Sequence, residues 1–285
     1  MDVDLRPMTW EDIPLGMRLK ELAGWNQTPA DWDMLLSAGT GLVAVIDEIA
    51  AGTATVVGYG GTFSWVGMIL VDPALRRRGV GTALLEAAIE LGRQHGVVRL
   101  DATPQGEPLY RRLGFEMEYG LIRMQRSGGP LPVTAVPDLS ADDCRLLPPD
   151  AIQEVSAYDA PIFGAPRSTI LQALRQRAPQ YAHCLARASG LAGYCLGRQG
   201  SGADQIGPLI AGEMGIAQAL LLSALRNAGE RDILLDVPTG CPEWVDFLHA
   251  LGFVTQRPFT RMRLGSALES GPIEQQFLIA GPEIG

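Results

Sequence analysis

The clearest patterning in this 285-residue chain lies between residues 69 and 115. Ile69-Leu70-Val71 is an apolar run of strand character that breaks at Asp72-Pro73. Beyond three consecutive arginines, Val80, Leu84, Ala87, Ala88 and Leu91 recur at helical spacing, with Glu86, Glu90 and Arg93 on the other side. That period predicts an amphipathic helix with one buried face. Gly96, following His95, is placed to cap its C-terminus, and Val97-Val98-Arg99-Leu100 reads as the next strand. A loop of turn formers over 101–108 leads into a short helix over 109–115 that carries Tyr110 and is closed by Gly114. The result is a strand–turn–helix–strand unit, in which a crevice can open between strands.

The turn itself, Arg76-Arg77-Arg78-Gly79-Val80-Gly81-Thr82, has chemistry of its own. Gly79 and Gly81 have no Cβ, so backbone and ligand can approach closely. Amides of the turn and of the first helical turn have no internal partner and converge on one spot, which favours an anion. Arginines supply fixed charge and forked donors suited to phosphate. The lysine of a nucleotide triphosphate P-loop is absent. Taken alone, the same turn reads equally well as a solvated helix entry.

With its surroundings, the segment resembles the GNAT superfamily of acetyl-CoA-dependent N-acetyltransferases. The resemblance rests on R-x-x-G-x-G from Arg76 to Gly81, on the preceding Val71-Asp72-Pro73, and on Tyr110 just before Leu113-Gly114-Phe115. Order and spacing agree over residues 3–125. The resemblance implies that the 76–82 loop holds the pyrophosphate of coenzyme A and that the pantetheine arm lies along the strand ending at Val71. Ile69, Leu70 and Thr103 then join the cofactor-binding residues, and Tyr110 lies near the sulfur. It further implies direct attack by an amine in a ternary complex, with backbone amides near 69–71 stabilising the oxyanion and Tyr110 hydrogen-bonding the developing thiolate. No cysteine or serine beside a base offers a covalent relay. The general base stays open among Asp47, Glu48 and Asp101. Trp25-Asn26-Gln27 falls where this fold forms its acceptor-binding loop, so Trp25 and Asn26 are candidate substrate contacts, with a core role for Trp25 equally open.

The second half echoes the first. Leu251-Gly252-Phe253 and Arg261-Met262 repeat the spacing of Leu113-Gly114-Phe115 and Arg123-Met124, and Leu235-Asp236 parallels Leu100-Asp101. The apolar run Ile216-Ala217-Gln218-Ala219-Leu220-Leu221-Leu222 parallels the helix that begins at Val80. Self-similarity of this kind predicts two tandem copies of one fold, divided at Ser127-Gly128-Gly129-Pro130-Leu131-Pro132 into residues 1–127 and 131–285. Each copy is expected to be α/β (α+β), a mixed, mostly antiparallel sheet flanked by helices. The second copy lacks the cradle: residues 206–216 contain no arginine, Glu213 would repel a phosphate, and Leu248 stands where Tyr110 does. Catalysis is therefore assigned to the first copy and an acceptor-side or structural role to the second. Within the second copy, residues 158–167 resemble a segment of certain bacterial tandem GNAT proteins, which makes Asp159 and Arg167 candidate substrate contacts; a helix cap with a structural ion pair is the other reading.

Composition adds less. A net charge of −9 argues against general nucleic-acid affinity and sets the Arg76–Arg78 cluster apart. The cysteines at 144, 184, 195 and 241 have no metal-ligand spacing, and His183 and His249 have no ligand-spaced neighbours. His95, in the last turn of a helix, reads as structural. Met1-Asp2-Val3-Asp4 is no signal peptide and no apolar stretch reaches a membrane span, so a cytoplasmic protein without membrane partner is expected. The expected enzyme moves an acetyl group from acetyl-CoA, without metal, to an amine-bearing small molecule; a homodimer stays open. The alternative is a coenzyme-A-binding regulatory or sensor protein without turnover, against which the pairing of Tyr110 with a full cradle argues.

Overall fold

The computed structural model describes residues 3–132, 144–267 and 271–285; Met1 and Asp2, read above as lacking a leader, lie outside them. The first half of the chain runs β1 (Asp4–Pro7), α1 (Ile13–Leu22), α2 (Pro29–Ala38), β2 (Gly39–Ile46), β3 (Ile49–Tyr59), β4 (Phe63–Val71), α3 (Val80–Arg93), β5 (Val97–Ala102), α4 (Glu107–Arg112) and β6 (Glu116–Arg126). The second half repeats that order: β7 (Arg145–Leu146), α5 (Ile152–Phe163), α6 (Ser168–Arg177), β8 (His183–Arg187), β9 (Gly190–Arg198), β10 (Asp204–Ala211), α7 (Met214–Arg226), β11 (Ile233–Pro238), α8 (Pro242–Ala250) and β12 (Val254–Leu264). A further strand, β13 (Gln276–Leu278), follows. The fold is thus a tandem duplication. Among the described residues no helix is long and apolar enough to cross a membrane.

Two compact units emerge. One comprises the described residues of Met1–Met117, Met262–Leu268 and Pro282–Gly285, and the other those of Glu118–Arg261 and Glu269–Gly281. Most of β6 therefore belongs to the second unit, and the end of β12 with residues 282–285 to the first. For β6 the cause is pairing: residues from Leu121 to Arg126 lie antiparallel on β11.

In the first unit the strands run β1-β2-β3-β4-β5, antiparallel except for the parallel pair β4–β5. Helix α3 buries Val80, Leu84, Leu85, Ala88 and Ile89 on this sheet, with Ala87 and Leu91 half-buried at the margin, while Glu86, Glu90 and Arg93 stay exposed. The buried stripe is wider than the sequence period alone indicated, because Leu85 and Ile89 also reach the strands. Helices α1 and α2 pack on β2, β3 and β4 through a separate set that includes Leu19, Trp32 and Leu35. Gly16 makes room for the Trp32 indole, which a Cβ there would meet at 2.6 Å. The short helix with Tyr110 begins at Glu107, two residues earlier than its apolar pattern suggested, with Pro108 accommodated in its first turn. Residues 282–285 are fastened to the sheet: Trp65 Nε1 donates to Pro282 O at 2.9 Å and Tyr59 OH to Ile284 O at 2.7 Å.

The second unit runs β6-β11-β10-β9-β8-β7, with β13 also antiparallel on β10. A buried polar network crosses it. Arg123 grips Asp236 bidentately at 2.7 and 2.8 Å, Gln205 Nε2 donates to the same carboxylate at 2.6 Å, and Arg198 donates to Gln205 Oε1 at 2.8 Å. These residues are sealed from solvent, so removing one partner strands a buried charge. Asp236→Ala is expected to cost about 3–5 kcal/mol in chemical unfolding, and a paired Arg123→Met, Asp236→Leu variant to recover most of it. A loss below about 1 kcal/mol would show that this network does not hold the second unit together.

Candidate active site

The cradle is built at the C-terminal end of β4. Asp72 caps a short 3₁₀ turn over Pro73–Leu75 by accepting from Ala74 N–H at 3.0 Å, and it forms an ion pair with Arg18 of α1 at 2.6 Å. The Arg18 guanidinium, with the Ala74 amide and the charge of Arg76, holds the Asp72 carboxyl below the usual carboxylate range. Asp72 thereby fixes the exit of the strand without facing the loop as a loose negative charge. Arg77 (φ 61°) and Gly79 (φ 85°) both take left-handed backbone conformations, so Gly79 is required for its φ and Arg77 pays for its own. The first hydrogen bond at the start of α3 runs from Ala83 N–H to Gly79 O at 3.0 Å. The amides of Val80, Gly81 and Thr82 precede it, which leaves the helix N-terminus positive.

The glycines face room. A Cβ on Gly79 would meet nothing within 4 Å, and one on Gly81 would only touch Val71 Cγ2 at 3.6 Å. The fold leaves room for a Cβ at Gly81; a ligand against these amides would not. Arg76 and Arg77 are exposed and make no ion pair among the described residues, whereas Arg78 pairs with Asp47 of the β2–β3 turn at 2.7 Å. Two of the three arginines are thus available to an anion. Glu48 lies exposed in the same turn as Asp47.

Next to the cradle the sheet opens. Strands β4 and β5 pair at only three positions, Phe63 with Val97, Ser64 with Val98 and Trp65 with Arg99. Beyond these, β4 continues for six residues. Opposite β3, Thr53 pairs with Leu70 but Thr55 with Gly67, so β4 carries one extra residue, and Met68 there has φ 50°. Such a bulge bends its strand and re-aims its amides. Ile69 and Val71 lie on the opened stretch and Leu70 is buried behind it. Thr103 stands at the end of β5, where its hydroxyl accepts from Gly106 N–H at 3.2 Å.

Tyr110 is half-buried at the edge of the α3 core, its ring 6.0 Å from that of Phe115 and its edge 2.9 Å from where a Cβ on Gly106 would stand. Burial pushes its hydroxyl up to about 12, so it is a proton-bearing donor at any physiological pH. Trp25 and Asn26 are half-buried in the α1–α2 connection, and the neighbouring Gln27 is buried. Asp159 and Arg167 are clasped to each other inside the second unit. Their bidentate contacts measure 2.8 and 2.9 Å, Tyr194 OH donates to Asp159, and the guanidinium lies over the Phe163 ring. Neither reaches solvent, which is the arrangement of a structural pair. Among the described residues no group of three His, Cys, Asp or Glu side chains could hold a metal ion.

The corresponding region of the second unit is closed. Strands β10 and β11 also pair at three positions, and β10 has its own extra residue between Ile206 and Leu209. There, however, β13 lies on β10, pairing Leu209 with Leu278, and Ile279 N–H donates to Asp236 O of β11 at 3.0 Å. At the N-terminus of α7 stands Glu213, held by Arg187 at 2.6 Å. Leu248, the counterpart of Tyr110, is a fully buried core residue. No sequence signal had pointed to β13 as the strand that fills the opening.

Both halves match GNAT acetyltransferases: residues 6–115 match the acetyltransferase (GNAT) family and residues 155–278 an acetyltransferase (GNAT) domain. The chain belongs to the GNAT superfamily. It is 27% identical over 193 residues to the uncharacterized N-acetyltransferase YitH of Bacillus subtilis, covering 68% of this chain and 67% of that one. It is 38% identical over 127 residues to a mycothiol acetyltransferase of Kineococcus radiotolerans, covering 41% of this chain and 42% of the relative. In fold it is similar to a candidate acetyltransferase from Pyrococcus horikoshii, with a TM-score of 0.81, 24% identity, and 99% and 96% of the two chains covered. A tandem GNAT protein of the clavulanic acid biosynthesis pathway gives a TM-score of 0.64 at 16% identity, with 94% and 100% covered. As a GNAT protein the chain is an acyltransferase, and acetyl-CoA is the co-substrate of that family.

The state of the Tyr110 hydroxyl is open to measurement. Its folded value of about 12 lies above the ~10 of an unfolded tyrosine. The stability tied to its burial is therefore complete below pH 10 and falls as pH rises from there towards 12. The 295 nm difference between the chain and Tyr110→Phe is expected to show no phenolate at pH 10.5. A half-formed phenolate there would contradict the buried environment described.

Proposed function

We propose that the first unit is an N-acetyltransferase in which an amine attacks the thioester of acetyl-CoA directly, in a ternary complex. The single observation that supports it most is the pairing of an opened β4–β5 edge with a glycine-lined, arginine-bearing helix N-terminus at the end of the same strand. Arg76, Arg77 and the amides of Val80, Gly81 and Thr82 are the groups we assign to the pyrophosphate, with Gly79 shaping the turn and Arg78 held in reserve by Asp47. Ile69, Leu70 and Val71, with Thr103 across the opening, are assigned to the pantetheine arm. When bound, acetyl-CoA supplies an activated acyl group and a thiolate leaving group.

The chain's own residues then have three tasks. Amides of the bulged stretch at 68–71 are assigned to the oxyanion, for which fixed backbone donors in a dry crevice are effective. Tyr110 is assigned to the departing sulfur. With a hydroxyl near 12 against ~8.5 for a free thiol, transfer is uphill by about three powers of ten even to the released thiolate, and by more to the thioester sulfur before C–S cleavage, so the proton moves only as solvent restores the phenol. Tyr110 therefore donates a hydrogen bond first and its proton late. Trp25 and Asn26 are assigned to the acceptor side, and the acceptor is read as a small amine-bearing molecule. Asp159 and Arg167 are assigned to holding the second unit together.

A thiol-release screen with a library of amines tests the activity, and the cradle assignment has a sharper test. Charge-assisted hydrogen bonds are worth ~1.5–3 kcal/mol each, so Arg76→Glu and Gly81→Val are each expected to weaken acetyl-CoA binding at least tenfold by calorimetry, with the unfolding midpoint unchanged. Unchanged affinity in folded Gly81→Val would place the pyrophosphate elsewhere.

A further inference from the structure

Direct attack requires a group to take the acceptor's proton, and we propose that Glu283 is that general base. The inference rests on the reading of the first unit as an acetyltransferase, and every residue it uses belongs to that unit.

Two of the carboxylates that the sequence left open as the base are poorly suited. Asp47 is committed to Arg78 at the phosphate end of the site, and Glu48 lies exposed beside it. Glu283 is 3% exposed and lies against Gly67. A Cβ on Gly67 would stand 2.9 Å from Glu283 Cα and 3.1 Å from its Cβ. Two further C–C bonds put the carboxyl carbon within about 6 Å of that point. Gly67 is the residue immediately before the bulge at Met68, and it lies past the last β4–β5 pair at Trp65. Glu283 thus packs against β4 immediately before the bulge, and its buried carboxyl group is within reach of the stretch whose amides are assigned to the oxyanion.

The face is the correct one. Ser64 and Val66 of β4 pack towards α3, Ser64 Oγ lying where a Cβ on Gly92 would be and Val66 within the α3 core. Strand alternation turns Trp65 and Gly67 to the other face, the side of α1 and α2 and of the loop carrying Trp25 and Asn26. Both neighbours of Glu283 are pinned by their carbonyls, Pro282 by Trp65 and Ile284 by Tyr59. A carboxylate clamped on either side is pre-positioned, as proton transfer demands.

In the step, an ammonium acceptor gives one proton to the Glu283 carboxylate, which releases it to solvent. The neutral nitrogen forms the C–N bond and the C–S bond breaks, its electron pair going to sulfur. The second nitrogen proton leaves through Glu283 as the amide forms, and Tyr110 protonates the sulfur and is restored from solvent. One proton is released overall and one ends on the thiol.

The test uses the full chain with acetyl-CoA and the best amine from a library of polyamines, amino acids and amino sugars. Glu283→Gln is expected to keep acetyl-CoA affinity within twofold and the unfolding midpoint unchanged. It should lower kcat ~10²–10⁴-fold and flatten the acidic limb of the kcat/KM pH profile, with partial recovery in Glu283→Asp. Gly67→Ala, which displaces the segment while keeping its carboxylate, should lower kcat with cofactor affinity retained. Full activity with the same acidic limb would overturn the proposal, as would a rise in turnover, which would mark residues 282–285 as an obstruction. A loss of midpoint with an unchanged pH profile would assign Glu283 a structural role and also overturn it. Failure of the underlying reading would show separately, as absence of acetyl-CoA binding by the unsubstituted chain, and would remove this inference with it.

Discussion

Beyond Trp65 and Arg99, strands β4 and β5 stop pairing, and one extra residue in β4 turns the strand aside just after Gly67. A sheet interior does not leave backbone donors and acceptors unmatched without a reason, and here the unpaired edge is continuous with the helix N-terminus that follows it. The opened stretch of β4, the turn and the first turn of α3 follow one another directly along the chain. The Arg18–Asp72 ion pair and the left-handed residues Arg77 and Gly79 hold the junction in shape. The proposed pantetheine, oxyanion and thiolate contacts all depend on this opening.

The second unit shows what becomes of the same architecture when the opening is filled from within. It keeps the three-position pairing of β10 with β11 and the extra residue in β10. Yet β13 supplies the missing strand, and Glu213, not an incoming phosphate, is the anion at the N-terminus of α7. Its interior is correspondingly well tied, through Arg123, Asp236 and Gln205 and through Asp159, Arg167 and Tyr194. With the opening closed from within, the turn of the second half has no anion to hold, and it carries none of the arginines that the first half places there.

Much of this was legible in the chain because it is local. The α3 stripe, the arginine–glycine turn and the Leu-Gly-Phe repeat each depend on residues a few positions apart, where helical period and turn chemistry operate. The tandem fold followed from the repeat, and the GNAT resemblance from the turn with Tyr110. What stayed hidden is long-range. Nothing near Gly67 in sequence announces Glu283, 216 positions later. Nothing in Gln276-Phe277-Leu278 says that it completes the sheet at β10 and not at another edge. The segment 158–167 was legible as a feature but not as a role, since a carboxylate and a guanidinium eight residues apart serve a ligand or each other equally well until burial decides; here they are sealed together.

The central claim is that the chain offers one coenzyme A site, in the first unit, because the equivalent opening in the second is closed by its own β13. Calorimetric titration of the full chain with acetyl-CoA, alongside the Arg76→Glu variant, measures this most directly. The account predicts one site per chain and its loss, without a residual site, in Arg76→Glu. Two sites of similar affinity, or one that survives Arg76→Glu undiminished, would contradict it.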